Sequence, residues 1–203
     1  MYYMWNERYK GDEFAYGIEP NDFLKSKYAY IPKGGKVLCL AEGEGRNAVF
    51  LAKQGYEVTA VDLSHVGLQK AEKFALKNGV TIKTVVANLA DFDLGKESWD
   101  AIVSIAAHVP PPIRKKLHSQ VFDALKENGV FILEAFHERQ LKMSGIGGPP
   151  SKEMLMSLDE LEVELHGLEF KIAAEVDRHI SEGVHHQGES AVVQIVAMKK
   201  VTI

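Results

Sequence analysis

Apolar residues along the chain gather into short β-branched runs, and most of these lead into a stretch of helical period. Lys36–Ala41 (KVLCLA) is almost continuously apolar, as a strand covered on both faces would be. Asn47–Gln54 then repeats at helical spacing until Gly55. Glu57–Val61 predicts a second strand, ended by Asp62. Ser64 can cap the helix that follows, which carries Leu68, Ala71 and Ala75 on one face and stops at Asn78-Gly79. Ile82–Val86 predicts a third strand with a short helix after it, and Asp100–Ile105 a fourth. A helix from about Ile113 keeps Ile113, Leu117, Val121 and Leu125 on one stripe and ends at Asn128-Gly129, before a fifth strand at Val130–Glu134.

The last third breaks this rhythm. Met143–Pro150 is a Gly/Pro-rich loop. Ser157 and Glu160 make a capping box for a helix striped by Leu158, Leu161 and Leu165 and closed by Gly167. Two long β patterns, Glu169–Ile180 and Ser190–Met198, flank the polar turn Glu182–Gly188 and predict an antiparallel hairpin. Alternating βα units imply right-handed crossovers and a parallel sheet covered on both faces. The prediction is an α/β chain of five parallel strands with a C-terminal hairpin, without internal repeats or low-complexity tracts.

Composition narrows the function classes. A chain of 203 residues predicts one domain, 1–203, at about 100–200 residues per domain. The 24 basic and 28 acidic residues give a net charge of −4, which argues against a nucleic-acid partner held by a broad basic surface. The start of the chain, MYYMWNERYK, has no apolar signal core, and no run approaches the ~18 apolar residues of a membrane span. The expectation is a cytoplasmic protein with no membrane partner. Cys39 is the single cysteine, so neither an intrachain disulfide nor a multi-cysteine metal site can form. Its place inside a strand predicts a small core residue, and Arg114-Lys115-Lys116 reads as a solvated charged face.

The chemistry concentrates after the first strand, in Ala41-Glu42-Gly43-Glu44-Gly45-Arg46-Asn47. In an open α/β sheet, ligands sit beyond the carboxyl ends of the strands. A Gly-x-Gly turn there lets the backbone approach a ligand that a β-carbon would block. Asp62 ends the second strand, where a carboxylate can accept both hydroxyls of a ribose. A nucleoside-containing ligand across the first two strand ends is therefore expected. Gly43-x-Gly45-x-x-Ala48 also satisfies a loose dinucleotide fingerprint, which keeps a NAD-binding oxidoreductase as an alternative. None of the seven tyrosines begins a Tyr-x-x-x-Lys pair, and a C-terminal hairpin fits poorly with a second mononucleotide-binding half.

The stretch VLCLAEGEGRNAVFLAKQGYEVTAVDLS resembles the cofactor loop of class I S-adenosylmethionine-dependent methyltransferases. Its GRNAVFLA…GYEVTAVD part is most similar to the TehB-like (tellurite-resistance) branch, related more distantly to thiopurine and thiol methyltransferases. The resemblance covers about Lys36–Phe136, a cofactor-binding core, and implies a Rossmann-like doubly wound sheet of seven strands, mostly parallel with an antiparallel last strand. It implies S-adenosyl-L-methionine as cofactor. Glu42, Gly43, Gly45, Arg46 and Asn47 would line the loop beneath its methionine and ribose parts. Asp62 would hold the ribose hydroxyls, with Leu63 against the adenine. Asn88 and Leu89 would meet the adenine edge and face, and the backbone near Ile105–His108 the methionine moiety. The sequence departs from the pattern at Cys39, often acidic in the family, at Ala41, often glycine, and at Asn88, often aspartate. Glu42 takes over the contact to the methionine ammonium in this reading.

Half of the aromatic residues lie in the first thirty positions. Trp5-Asn6-Glu7-Arg8-Tyr9 followed by Tyr16-Gly17 resembles the family's N-terminal cover, so Trp5, Tyr9 and Tyr16 are candidates for a lid over the cofactor. Packing of a helix on the sheet edge is the alternative for the same rings. On the acceptor side, His108 follows the fourth strand as a candidate base or acceptor contact. Ala107-His108-Val109-Pro110 lacks the Asn/Asp-Pro-Pro-aromatic pattern of DNA and protein amine methyltransferases. The sixth strand would end on the ligand face, so Arg178, His185 and His186 are acceptor-side candidates, joined by His179, Glu182 and Gln187. A metal held by His179, His185 and His186, or a merely solvated turn, are the other readings of that loop. The Gly145–Pro150 loop leaves the fifth strand on the same face and could close over the acceptor. The expected function is methyl transfer to a small soluble acceptor, a thiol or a selenium or tellurium oxyanion, with no metal. A non-catalytic module that binds S-adenosylmethionine or S-adenosylhomocysteine is the rival from another class.

Overall fold

Each apolar run finds two covered faces, and that requirement sets the architecture. A computed structural model describes residues 2–200. In chain order it contains α1 (Tyr2–Tyr9), α2 (Asp22–Lys27), β1 (Lys36–Leu40), α3 (Arg46–Lys53), β2 (Glu57–Asp62), α4 (His65–Lys77), β3 (Lys83–Val86) and β4 (Trp99–Ile105). Then follow α5 (Pro111–Ser119), α6 (Val121–Ala124), β5 (Leu125–Phe136), α7 (Leu158–Glu164), β6 (Glu169–Glu182) and β7 (His186–Met198). The seven strands form one sheet in the order β3-β2-β1-β4-β5-β7-β6. β1 to β5 pair in parallel, and β7 runs antiparallel to both β5 and β6. The strand order reverses between β1 and β4, the point at which an open α/β sheet leaves a crevice for ligand.

Strand alternation divides the core. Leu38 and Leu40 of β1 join Ile102, Phe131 and Leu133 under Leu117, Val121, Leu161 and Leu165 of α5, α6 and the α7 region. Val37 and Cys39 join Ala101, Val103 and Ile132 under Phe23, Leu24, Leu51 and Leu68 of α2, α3 and α4. Cys39 is thus the small core residue its strand position predicts, and burial pushes its thiol pKa well up.

Four local expectations are corrected. No helix follows β3. Asn88 forms a turn instead, its Oδ1 accepting the Ala90 N–H at 3.0 Å. The helix predicted from Ile113 to Asn128 ends at Ala124, and β5 begins at Leu125, which is fully buried in an extended conformation. The hairpin turn is shorter than Glu182–Gly188, since β6 runs through Glu182 and β7 starts at His186. Arg114 is not on a solvated face. It is 1% exposed, and its Nε and Nη2 donate to Glu164 Oε1 at 3.0 and 2.8 Å, while Glu164 Oε2 meets His118 Nδ1 at 2.7 Å. This buried group ties α5 to α7.

Candidate cofactor and acceptor site

The loop after β1 turns twice through left-handed backbone, with φ +61° at Gly43 and +90° at Gly45. The two glycines have different reasons to be bare. A β-carbon on Gly45 would lie 2.6 Å from the Ala71 β-carbon, so its absence lets α4 pack against the start of α3. A β-carbon on Gly43 would lie 2.7 Å from Tyr9 Oη, and one on Gly67 would lie 2.8 Å from Tyr9 Cδ2. Gly43 and Gly67 therefore form a shallow bed on which a flat ring rests.

Asp62 closes the bed from the end of β2. It is 6% exposed; its Oδ2 accepts the Gly43 N–H and its Oδ1 the Ser64 N–H, both at 2.8 Å. Burial raises its pKa against the pull of these N–H groups. The Leu63 N–H also bears on the carboxylate, and with two oxygens of two lone pairs each Asp62 keeps capacity to accept from a ligand. Glu42 is half-buried beside it, with Oε1 accepting the Ala48 N–H at 2.7 Å. Desolvation lifts the Glu42 pKa to about 7, against the pull of the Ala48 N–H and Arg46. Bare backbone, a buried hydroxyl acceptor and a desolvated carboxyl fit an adenosine carrying an amino-acid tail. The bed accommodates an aromatic plane, which Tyr9 supplies in this conformation.

Tyr9 is 4% exposed and arrives on α1. Trp5 stacks on it at 5.8 Å between centroids, and Tyr16 meets its edge at 6.5 Å. Asn6 anchors α1 to the start of α4 by accepting from Ser64 Oγ at 2.7 Å. The loop that follows is held by Lys70, which donates to the carbonyls of Gly11 and Glu13 at 2.8 and 2.9 Å and to Glu44 Oε1 at 2.5 Å. Glu44 Oε2 accepts the Ala15 N–H at 2.8 Å. The three aromatic lid candidates thus share one segment over the bed, and Glu44, which the sequence reading passed over, fastens it. An acidic residue between two loop glycines was the available signal.

Other cofactor candidates take different partners. Arg46 Nη2 donates to Glu182 Oε2 at 2.9 Å, and Asn47 Oδ1 accepts the Asn21 N–H at 2.9 Å. Both face the N-terminal segment and the hairpin. Leu63 is half-buried next to Asp62, and Asn88 is half-buried with its side chain in its own turn. Leu89 is buried in the core with Leu38 and Ile102. Ile105 lines a small cavity, described next.

That cavity, of about 10 Å³, lies beyond the ends of β4, β5 and β6. Ile105, Ala106, Phe136 and Ile180 are among its apolar walls; Asn21, Glu134, Glu182 and His186 supply polar ones. The His186 ring is tilted against Tyr16 at 4.5 Å and meets Phe136 at 4.9 Å between centroids. Burial lowers the His186 pKa, more than Glu182 raises it. The remaining acceptor-side candidates stand apart. His108 has both ring nitrogens engaged, Nδ1 with the Met154 carbonyl at 2.8 Å and Nε2 accepting the Phe136 N–H at 3.1 Å. Burial takes its pKa down to about 4. Arg178 grips Glu134 through Nε and Nη2 at 3.1 and 2.6 Å and reaches Asp22 at 3.3 Å. His185 is half-buried against Tyr16. His179 is exposed and pairs with Glu189 at 2.9 Å. Among the described residues, no three His, Cys, Asp or Glu side chains are grouped to hold a metal ion. The Gly145–Pro150 loop is pinned to the hairpin, Ile146 and Gln187 exchanging backbone bonds at 2.6 and 2.8 Å.

Comparisons with known proteins bear on the core and the fold. Residues 37–129 match the family model described as a methyltransferase domain. An uncharacterized methyltransferase of Bacillus subtilis, YbaJ, is 37% identical over 101 residues, 49% of this chain and 40% of its own length. The chain therefore spans well under two thirds of that relative. A SAM-dependent methyltransferase of Methanosarcina mazei has the same fold, with TM-score 0.71, 20% identity and coverage of 91% of this chain and 100% of its own. TehB of Haemophilus influenzae superimposes with TM-score 0.70 at 19% identity, covering 88% and 62%. The seven-stranded sheet with its antiparallel seventh strand is the fold of these neighbours.

Proposed function

We propose, from a core whose residues 37–129 match a methyltransferase-domain model, that the chain transfers a methyl group from S-adenosyl-L-methionine to a small soluble acceptor. The observation that carries this reading is the Gly43 bed closed by Asp62, placed where the strand order reverses. When bound there, S-adenosylmethionine supplies an electrophilic methyl carbon on a positively charged sulfur, with a neutral leaving group. The chain's share is to bind, orient and exclude water. Asp62 accepts the ribose hydroxyls on its free lone pairs. Glu42 meets the cationic amino-acid end, and Trp5, Tyr9 and Tyr16 on their segment cover the bound molecule after Tyr9 has moved aside.

The acceptor chamber favours a soft nucleophile of few atoms. Its walls are mostly apolar and its volume is near that of a single water. A small thiol is such a nucleophile, and a selenium or tellurium oxyanion attacks through the lone pair on its chalcogen atom. His186 is the acceptor-side base in this reading, since His108 has no nitrogen to spare and Arg178 is engaged with Glu134. The test is incubation with S-adenosylmethionine and a panel of small thiols, selenite and tellurite, read by mass spectrometry. S-adenosylhomocysteine and a methylated acceptor are expected. Binding of the cofactor without turnover of any acceptor would favour a non-catalytic module. Binding of NAD in its place would favour an oxidoreductase.

A further inference from the structure

We propose that Glu182 is a positioning residue for His186: its carboxylate fixes the proton on Nδ1 and leaves Nε2 as the free acceptor-facing base. Glu182 sits at the end of β6 and His186 at the start of β7, joined by the three-residue turn 183–185. His186 Nδ1 lies 3.4 Å from Glu182 Oε2. The carboxylate is held from two further directions: Arg46 Nη2 donates to Oε2 at 2.9 Å, and Asn21 Nδ2 donates to Oε1 at 2.9 Å. Asn21 is itself locked, its N–H on Asn47 and its Oδ1 accepting the Leu24 N–H at 3.0 Å. Burial works to raise the Glu182 pKa, but the His186 and Arg46 contacts outweigh it and hold the carboxyl far below the ordinary range. An ionised carboxylate only accepts, so Nδ1 carries the hydrogen. Tyr16 and Phe136 then hold the ring plane from two sides.

The charged and titratable groups facing this pair are Arg46 from α3, Arg178 from β6, whose Nη2 lies 3.6 Å from Glu182 Oε1, Tyr16 from the N-terminal segment, His108 after β4, Glu134 from β5 and His185 from the turn. Glu134 is neutralised by Arg178, and His108 is uncharged at neutral pH, so Glu182 is the anion paired with the imidazole. The step assigned to the pair is a proton transfer. The acceptor S–H bond breaks, its electron pair stays on sulfur, the proton goes to His186 Nε2, and the imidazolium so formed faces the Glu182 charge. Nε2 passes the proton to solvent afterwards. The inference rests on the acceptor reading above for its chemistry, but the fixed tautomer stands without it.

Two readouts keep the levels apart. Long-range ¹H–¹⁵N spectra of the whole protein at pH 7, with His186→Gln assigning the signal, are expected to show Nδ1 protonated and Nε2 bare. Glu182→Leu leaves Nδ1 without an acceptor and is expected to move the proton to Nε2. With a thiol of ordinary acidity that variant loses about a hundredfold in kcat. With an acceptor already ionised at the assay pH it loses little, and its affinity for S-adenosylhomocysteine stays within about twofold. A wild-type imidazole protonated at Nε2 would overturn the inference; so would an unchanged tautomer in a folded Glu182→Leu protein, or an equal kcat loss with both acceptor types. If the wild type methylates no acceptor, the functional reading fails by itself, and the spectra still decide the tautomer.

Discussion

Two alanines sit in backbone that alanine seldom adopts. Ala41 and Ala106 follow the ends of β1 and β4 with φ of +49° and +51°. These are the two strands that flank the switch point, so left-handed turns let the chain leave the sheet abruptly on both sides of the crevice. A left-handed non-glycine residue costs about 1–2 kcal/mol. Ala106→Gly should raise stability by about 0.5–1 kcal/mol in denaturant melts, and a fall would show that the strain is absent. Glu42 makes a second prediction with a definite sign. Its pKa, raised from 4.5 to about 7 chiefly by desolvation, means that the folded state binds more protons than the unfolded one between those values. Its contribution is therefore fully present below about pH 4.5 and lost as pH rises through about 7. Glu42→Gln should melt higher than wild type at pH 8 and about the same at pH 4, and a gap independent of pH would contradict the desolvation. The left-handed turn at Gly43 and Gly45 and the place of Asp62 at a strand end were legible, because a Gly-x-Gly loop and a strand end announce them. The partners of Arg46 and Asn47 were not, because Glu182 and Asn21 lie 136 and 26 residues away and no local pattern pairs them.

At the scale of elements, the helix after β4 shows what periodicity leaves open. Leu125 continues the apolar stripe of Ile113, Leu117 and Val121, and it is indeed buried. A buried strand residue and a helix-stripe residue read alike in sequence, and β5 claims it. Arg114 was misread for a related reason. Its neighbours Lys115 and Lys116 are exposed, while the carboxylate that draws Arg114 inside comes from α7, fifty residues on. The N-terminal segment is the element whose position bears most on function. Tyr9 lies on the bed that Gly43 and Gly67 leave open, so α1 must shift before a nucleoside can settle there. Tyr9→Ala should speed association of S-adenosylhomocysteine several-fold in stopped-flow measurements. An unchanged association rate in a folded variant would mean that the ring does not stand in the way.

Across the whole molecule, alternating runs were enough to foresee five parallel strands and the hairpin, because burial on both faces leaves few arrangements for βα units. The placement of the hairpin, with β7 between β5 and β6, brings Glu182 and His186 beside the ends of β4 and β5. The buried network that follows from this placement was not legible, since Asn21, Arg46, Glu134 and the β6 pair Arg178 and Glu182 come from four separate stretches. It makes one polar joint of the N-terminal segment, the glycine loop and the hairpin. The account rests on the nucleoside bed at the switch point, and calorimetric titration of wild type and Asp62→Ala with S-adenosylhomocysteine tests it most directly. The account predicts saturable one-to-one binding by the wild type and an affinity lower by at least about tenfold for a folded Asp62→Ala protein. Equal affinities, or no binding by the wild type at all, would contradict it.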